Sequence, residues 1–292
     1  MLKTLWQERL NLVEKQLDKE FPAGAALDKT LGEAMRYSLL AGGKRLRPIM
    51  LMAAADAVGK HGENFVTAAC AVEMVHTYSL IHDDLPAMDN DDYRRGKLTN
   101  HKVYGEAMAI LAGDGLLTLA FEVLLRQGRV SHAALLTAVR ELAGAAGAGG
   151  MVGGQALDLR ATGQKLDLAA LKRMHGGKTG RMFQASLRIG AILAGATNAE
   201  LTALTTYADN FGLAFQITDD ILDFTGDADV IGKPVGSDER NQKATYVTLT
   251  SLAQARTLAE EAVTEAKNAL VGFGERAEFL RELADYLIMR NK

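Results

Sequence analysis

Phe211-Gly212-Leu213-Ala214-Phe215-Gln216-Ile217-Thr218-Asp219-Asp220-Ile221-Leu222-Asp223 reads as an apolar helical stripe that runs into carboxylates. Asp219 and Asp223 are four apart, so on a helix they stack on one face a single turn from each other. Carboxylates in that register repel unless a cation bridges them, and nothing basic on the same helix is close enough to pair with both. The stretch therefore predicts a helix that carries metal ligands at its end.

A second acidic cluster, Asp83-Asp84-Leu85-Pro86-Ala87-Met88-Asp89-Asn90-Asp91-Asp92, closes another apolar stretch earlier in the chain. On a regular helix Asp83 and Asp89 would point about 120° apart, so they share an ion only if the backbone leaves the helix between them. Pro86 supplies that departure, because it removes a backbone donor and disfavours helix at the residue before it. Two separate clusters of hard oxygen ligands suit Mg2+, which binds through one or two carboxylates and leaves its other positions to water and phosphate oxygens. A calcium loop of the EF-hand type is excluded: Arg94 stands where its glycine must be, and no glutamate follows at the twelfth position.

Cations accompany the acids. Gly42-Gly43-Lys44-Arg45-Leu46-Arg47-Pro48 frees the backbone at two glycines and lets Lys44 and Arg47 project toward one anion, Arg47 with a planar fork suited to phosphate oxygens. His76 lies seven residues before Asp83, on the same helix face two turns earlier. Further on, His175-Gly176-Gly177-Lys178-Thr179-Gly180-Arg181 sets a cation and a hydroxyl among glycines. Lys233 and Lys243 follow the second acidic cluster. None of the glycine-rich pieces has the spacing of a Walker loop or a dinucleotide fingerprint, and there is no serine elbow or His-Glu-x-x-His pair.

The rest of the chain bounds the fold. Over 292 residues, alanine, leucine and glycine are abundant and only four prolines interrupt the pattern, which predicts an all-α chain. Helical periodicity is expected over 3–20, 27–41, 46–59, 64–84, 104–127, 132–160, 168–194, 198–224, 245–270 and 275–290, a bundle of about ten helices in one domain spanning 1–292. Gly144-Ala145-Ala146-Gly147-Ala148-Gly149-Gly150 is expected to let helices approach closely rather than to break one. A net charge of −3 gives no general basic surface, which argues against a nucleic-acid partner. The lone Cys70 in an apolar setting excludes an intrachain disulfide and points to a reducing, cytoplasmic home. Asp114 and Glu122 interrupt the most apolar run, 107–125, so no membrane span is expected.

Taken in order, these segments resemble the trans-isoprenyl diphosphate synthase family, most closely the bacterial farnesyl diphosphate synthases, with motifs from Lys44 to Tyr246. The resemblance implies a bundle around a central cavity, a homodimer, and Mg2+-dependent head-to-tail condensation of isopentenyl diphosphate with an allylic diphosphate. By the same resemblance Asp83, Asp84 and Asp89 hold two ions on the allylic diphosphate, and Asp219, Asp220 and Asp223 belong to the motif that holds a third. Arg94, Lys178, Lys243 and Lys233 contact that diphosphate. Gly43, Lys44, Arg47, His76 and Arg95 bind isopentenyl diphosphate, while Thr179 and Gln216 aim oxygen dipoles at the developing allylic cation. Tyr78, five positions before the first motif, closes the product channel beside the small Ser79 and implies a 15-carbon product; geranyl and geranylgeranyl diphosphate are the alternatives. A class I terpene cyclase fits less well, having no use for Lys44, Arg47 and His76, and a non-catalytic subunit would lack one aspartate cluster. Three positions depart from the family pattern: Tyr93, Leu98, and the Gly176-Gly177 pair, which suggests a loosely placed Lys178.

Overall fold

The computed structural model describes residues 2–161, 163–225 and 244–289, and over these the chain is all-α apart from one short hairpin. The N-terminal half contains α1 (Leu2–Glu20), α2 (Lys29–Leu39), α3 (Leu46–Ala57), α4 (Val66–Asp83), α5 (Asn100–Tyr104) and α6 (Glu106–Leu125). Helix α4 is apolar nearly all round, and its run Ala68–Val75 is buried without a gap. A helix with no polar face has nowhere to sit but the centre, and α1, α3 and α6 pack around it.

The hairpin pairs β1 (Tyr93–Arg94) with β2 (Lys97–Leu98), Tyr93 opposite Leu98 and Arg94 opposite Lys97. The two sequence departures at 93 and 98 are thus cross-strand partners. The Tyr37 hydroxyl donates to the Leu98 carbonyl at 2.7 Å and anchors the hairpin to α2.

Three long expected helices are divided. The span 132–160 becomes α7 (His132–Ala146) and α8 (Met151–Ala161), so the glycine stretch before α8 is a break after all. The reason lies at Gly150, where an added Cβ would fall 2.0 Å from the Ala145 carbonyl oxygen: the chain doubles back onto its own preceding turn. The span 168–194 runs through α9 (Leu168–His175), a wide π turn over Gly176–Gly180, and α10 (Arg181–Ala194). After α11 (Asn198–Thr225), the span 245–270 divides into α12 (Tyr246–Leu249) and α13 (Leu252–Ala269), because Ser251 caps α13 by accepting from the Gln254 amide. A final helix, α14 (Glu278–Met289), closes the described chain.

Aromatic rings knit α10 to α11 beneath the second acidic cluster. Phe183 meets Phe211 edge-on at 5.2 Å and Phe215 at 5.1 Å, and Tyr207 stacks on Phe211. These contacts fix the angle at which Asp219 is presented.

Among the described residues α6 is the one helix long and apolar enough, by length and composition, to cross a membrane. One side of it packs on α2, α4 and α5, and Ile110, Leu111 and Leu125 stay exposed on the other. Asp114 and Glu122 are exposed on that same outer face, a mixture suited to a protein neighbour rather than to lipid.

Candidate active site

Helix α4 ends at Asp83, and the chain turns sharply through Leu85-Pro86 until the Asp89 amide donates to the Asp83 carbonyl at 2.9 Å. That bond spans six residues and brings Asp89 back beside Asp83, the juxtaposition a regular helix forbids. Asn90, at φ 53°, completes the reversal in the left-handed region that asparagine tolerates. Burial, with Asp89 and Asp84 nearby and only partly offset by Lys178 and Arg94, pushes the Asp83 carboxyl up to about 6. A desolvated carboxylate crowded by a second one is poised to take a cation instead of a proton.

Asp84 behaves differently. It is 3% exposed, and both its oxygens accept from Arg94 Nε, at 2.7 and 2.9 Å. Arg94 also reaches Asp91 at 3.5 Å. Asp84 is therefore turned into the protein as the partner of a cation, while Asp83 lines the cleft.

The basic residues gather about two turns back along α4, around His76. Arg47 donates from Nη1 to His76 Nε2 at 3.2 Å and lies over the Phe183 ring at 4.7 Å. Burial, then the neighbouring Arg47, holds the His76 imidazole well below its ordinary pKa, so the ring is neutral and its Nε2 is the acceptor. Burial also lowers Arg47 to about 10, with Glu73 and Asp219 partly restoring it against Arg95. Its Nε is buried without a hydrogen-bond partner, a cost that an anion in the pocket relieves. Arg95 donates to the Gly42 carbonyl, and its guanidinium lies so close to Gly43 that an added Cβ would fall 2.6 Å from Cζ. Gly43 is needed for that contact as well as for its φ of 126°. Lys44 is exposed at the rim of the loop, its carbonyl accepting from Trp6.

The third side of the cleft comes from α8 and the π turn. Lys178 pairs with Asp158 at 2.5 Å, and Thr179 lines the cavity beside it. The glycines before Lys178 do not loosen it: Gly177 abuts Gly154, where an added Cβ would lie 2.0 Å from the Lys178 amide nitrogen. Main chain presses on main chain there, and only glycine permits it. We expect Gly154→Ala to cost about 2 kcal/mol or more by overpacking, seen as a drop of several degrees in Tm by scanning calorimetry; an unchanged Tm would mean that the contact is not tight.

On α11, Asp219 lies within the electrostatic reach of Arg47, and Gln216 is one turn before it on the half-buried flank. Asp220 is spoken for: it is 6% exposed and accepts the Tyr246 amide at 2.7 Å, tying α11 to α12. Lys233 and Lys243 lie outside the described residues. Together Arg47, His76, Tyr78, Ser79, Asp83, Gln155, Lys178 and Thr179 border one cavity of about 390 Å³.

Several of these participants went unread in the sequence. Gln155 and Asp158 are three apart on α8 among small and apolar residues, a spacing that could have flagged them. Gln155 is 9% exposed with both amide atoms unpaired, at the cavity wall. Arg45 sits in the left-handed region at φ 46° and is fully buried, bonded to Glu14 at 2.6 Å, Glu73 at 2.7 Å and the Leu39 carbonyl at 2.6 Å. Its role is to hold the turn from which Lys44 and Arg47 diverge.

Among the described residues no three acidic or imidazole groups form a ready-made metal cage. The carboxylate pair fits Mg2+ nonetheless, since that ion takes one or two carboxylates and completes its shell with water and phosphate.

The sequence matches the polyprenyl synthetase family model over residues 28–272. It is 54% identical over 228 residues to a farnesyl diphosphate synthase of Geobacillus stearothermophilus, covering 77% of each chain. It is also 46% identical over 296 residues to a chloroplastic geranylgeranyl pyrophosphate synthase of Capsicum annuum, covering 98% of this chain and 80% of that one. Among solved structures, an FPP/GFPP synthase from Zymomonas mobilis matches with a TM-score of 0.88 at 38% identity over 98% of both chains.

Proposed function

The chain belongs to the polyprenyl synthetase family, and on that premise we propose that it condenses isopentenyl diphosphate with dimethylallyl and then geranyl diphosphate to give farnesyl diphosphate. The observation that carries this is one cavity bordered both by an acid, Asp83 with Asp89 folded back beside it, and by a separate basic pair, Arg47 and His76, with Arg95 and Gly43 packed behind Arg47. One substrate would need only the first; two diphosphates need both.

Asp83, Asp89, Asp219 and Asp223 would hold Mg2+ against the allylic diphosphate, three ions by the family resemblance, and Asp84 orients Arg94 toward the same group. The bound metal supplies the positive charge that lets diphosphate leave. Lys178 and Arg94 add fixed cations there, Lys178 held in line by Asp158, with Lys243 and Lys233 assigned to the same group. Thr179 and Gln216 turn oxygen dipoles toward the allylic carbon as its C–O bond breaks. Apolar walls keep water from that carbon. Lys44, Arg47, His76 and Arg95 fix the second diphosphate so that its double bond attacks the allylic carbon, after which a proton passes to the departed diphosphate.

The outer face of α6, with Ile110, Leu111 and Leu125, supports a homodimer built across that helix. The buried free thiol of Cys70 supports a reducing, cytoplasmic setting. The main apolar core draws on residues from Val13 to Leu287, which supports one domain over the whole chain.

Incubation with labelled isopentenyl diphosphate and each allylic starter, then chromatography of dephosphorylated products, tests the assignment. A labelled 15-carbon alcohol that requires Mg2+ is expected, and no chain extension with any starter would overturn it. The same assay tests Tyr78, which is 5% exposed and lines the cavity. Tyr78→Ala should extend products to 20 carbons or more, because an apolar void admits a further isoprene unit; a variant still stopping at 15 places the floor elsewhere.

A further inference from the structure

Tyr78 is not alone at the cavity wall. His82, one turn later on α4, also lines the cavity, and the two rings meet edge-on with centroids 5.7 Å apart. The imidazole reaches across to α6, where its Nε2 is 3.0 Å from the Ile110 carbonyl oxygen. A carbonyl only accepts, so Nε2 carries the proton and the ring is held in one orientation.

Beneath that ring lies Gly113, which is buried. A Cβ built there would fall 2.1 Å from His82 Nε2, 2.4 Å from Cδ2 and 2.9 Å from Cε1. The obstruction is a side chain and not backbone, so residue 113 can grow only if the imidazole swings aside. The ring is confined by α6 on one side and by Tyr78 on its own helix, and its open side is the cavity.

Resting on the prenyl-transfer assignment, we infer that His82 seated on Gly113 is a second determinant of product length, and that the size of residue 113 sets how far the imidazole intrudes on the growing chain. Gly113→Ala pushes the ring into the channel and shortens the product. His82→Ala empties the space and lengthens it. Such steps are worth roughly tenfold in selectivity, the usual scale for a methylene-sized change in an apolar pocket.

The test is the product distribution, at matched conversion, of the wild type, Gly113→Ala, His82→Ala and the double variant. The ratio of 10- to 15-carbon product should rise about tenfold in Gly113→Ala, 20-carbon product should appear in His82→Ala, and the double variant should follow His82→Ala because the clash is gone. Equal loss of all products with unchanged ratios overturns the inference. If Gly113→Ala does not fold, as judged by circular dichroism, His82→Phe and His82→Ala decide: they must shift length in opposite directions, and a shared unchanged length overturns it. A wild-type enzyme that makes no prenyl diphosphate would instead overturn the assignment on which this rests.

Discussion

Asp83→Ala is expected to lower kcat on the order of 10²-fold or more at saturating Mg2+, the scale for losing one preorganised electrostatic stabiliser of a transition state, and Asp219→Ala should do the same. Asp83 earns its rank from geometry: it lines the cavity, and the bond between the Asp89 amide and the Asp83 carbonyl places a second carboxylate beside it. The same burial and crowding that raise its pKa from 3.8 to about 6 make its charged form a burden on the metal-free fold. Below about pH 4 both folded and unfolded chains carry the proton and there is no penalty. As pH rises from there to 6 the unfolded chain ionises first, so stability declines, and above 6 the penalty is complete. Asp83→Asn should therefore stabilise the metal-free protein by roughly 1–3 kcal/mol at pH 8 and by progressively less toward pH 4.5, while being nearly inactive. Thermal melts of both proteins in chelator at pH 5 and pH 8 check the sign. A variant that kept wild-type kcat, or was destabilised at pH 8, would remove Asp83 from the role given to it.

Arg47→Ala should raise KM for isopentenyl diphosphate by about 10- to 100-fold, the range for a lost charge-assisted contact, and change KM for the allylic substrate far less. The asymmetry follows from the neighbours of each cation. Arg47 lines the cavity with His76 and has Arg95 within electrostatic reach, whereas Arg94 and Lys178 lie near Asp83, bonded to Asp84 and Asp158. Arg47→Lys should recover little, since one ammonium cannot replace a fork that binds His76 and stacks on Phe183 together. Equal rises in the two KM values would show that the cavity holds one anion site and not two.

Helices and acidic clusters were legible because each depends on local pattern. The stripe from Phe211 to Asp223 has helical spacing, and Pro86 announces the turn that returns Asp89 to Asp83. What escaped depends on segments far apart in the chain. Gly154 is explained only by the main chain around Gly177 and Lys178. Asp220 looks like Asp219 in the sequence, and only the Tyr246 amide, bonded to its carboxylate, shows that it ties α11 to α12. Asp84 is separated from Asp83 in the same way, by Arg94. Arg45 read as one more cation of a charged loop because its partners, Glu14 and Glu73, stand on two other helices.

The contact of α8 with the π turn also bears on how this enzyme can change. Where Gly154 meets Lys178, two backbones fix the point from which that side chain departs, so repacking of neighbouring side chains does not move its root. The walls at Tyr78, Ser79 and Leu159 are side chains alone and can be exchanged one at a time. Selection for new chain lengths therefore has a gradual path along the walls, whereas the electrophile-binding corner shifts as a block or not at all. A mutagenesis library aimed at product range gains by fixing 150–154 and 176–180 and spending its diversity on the lining.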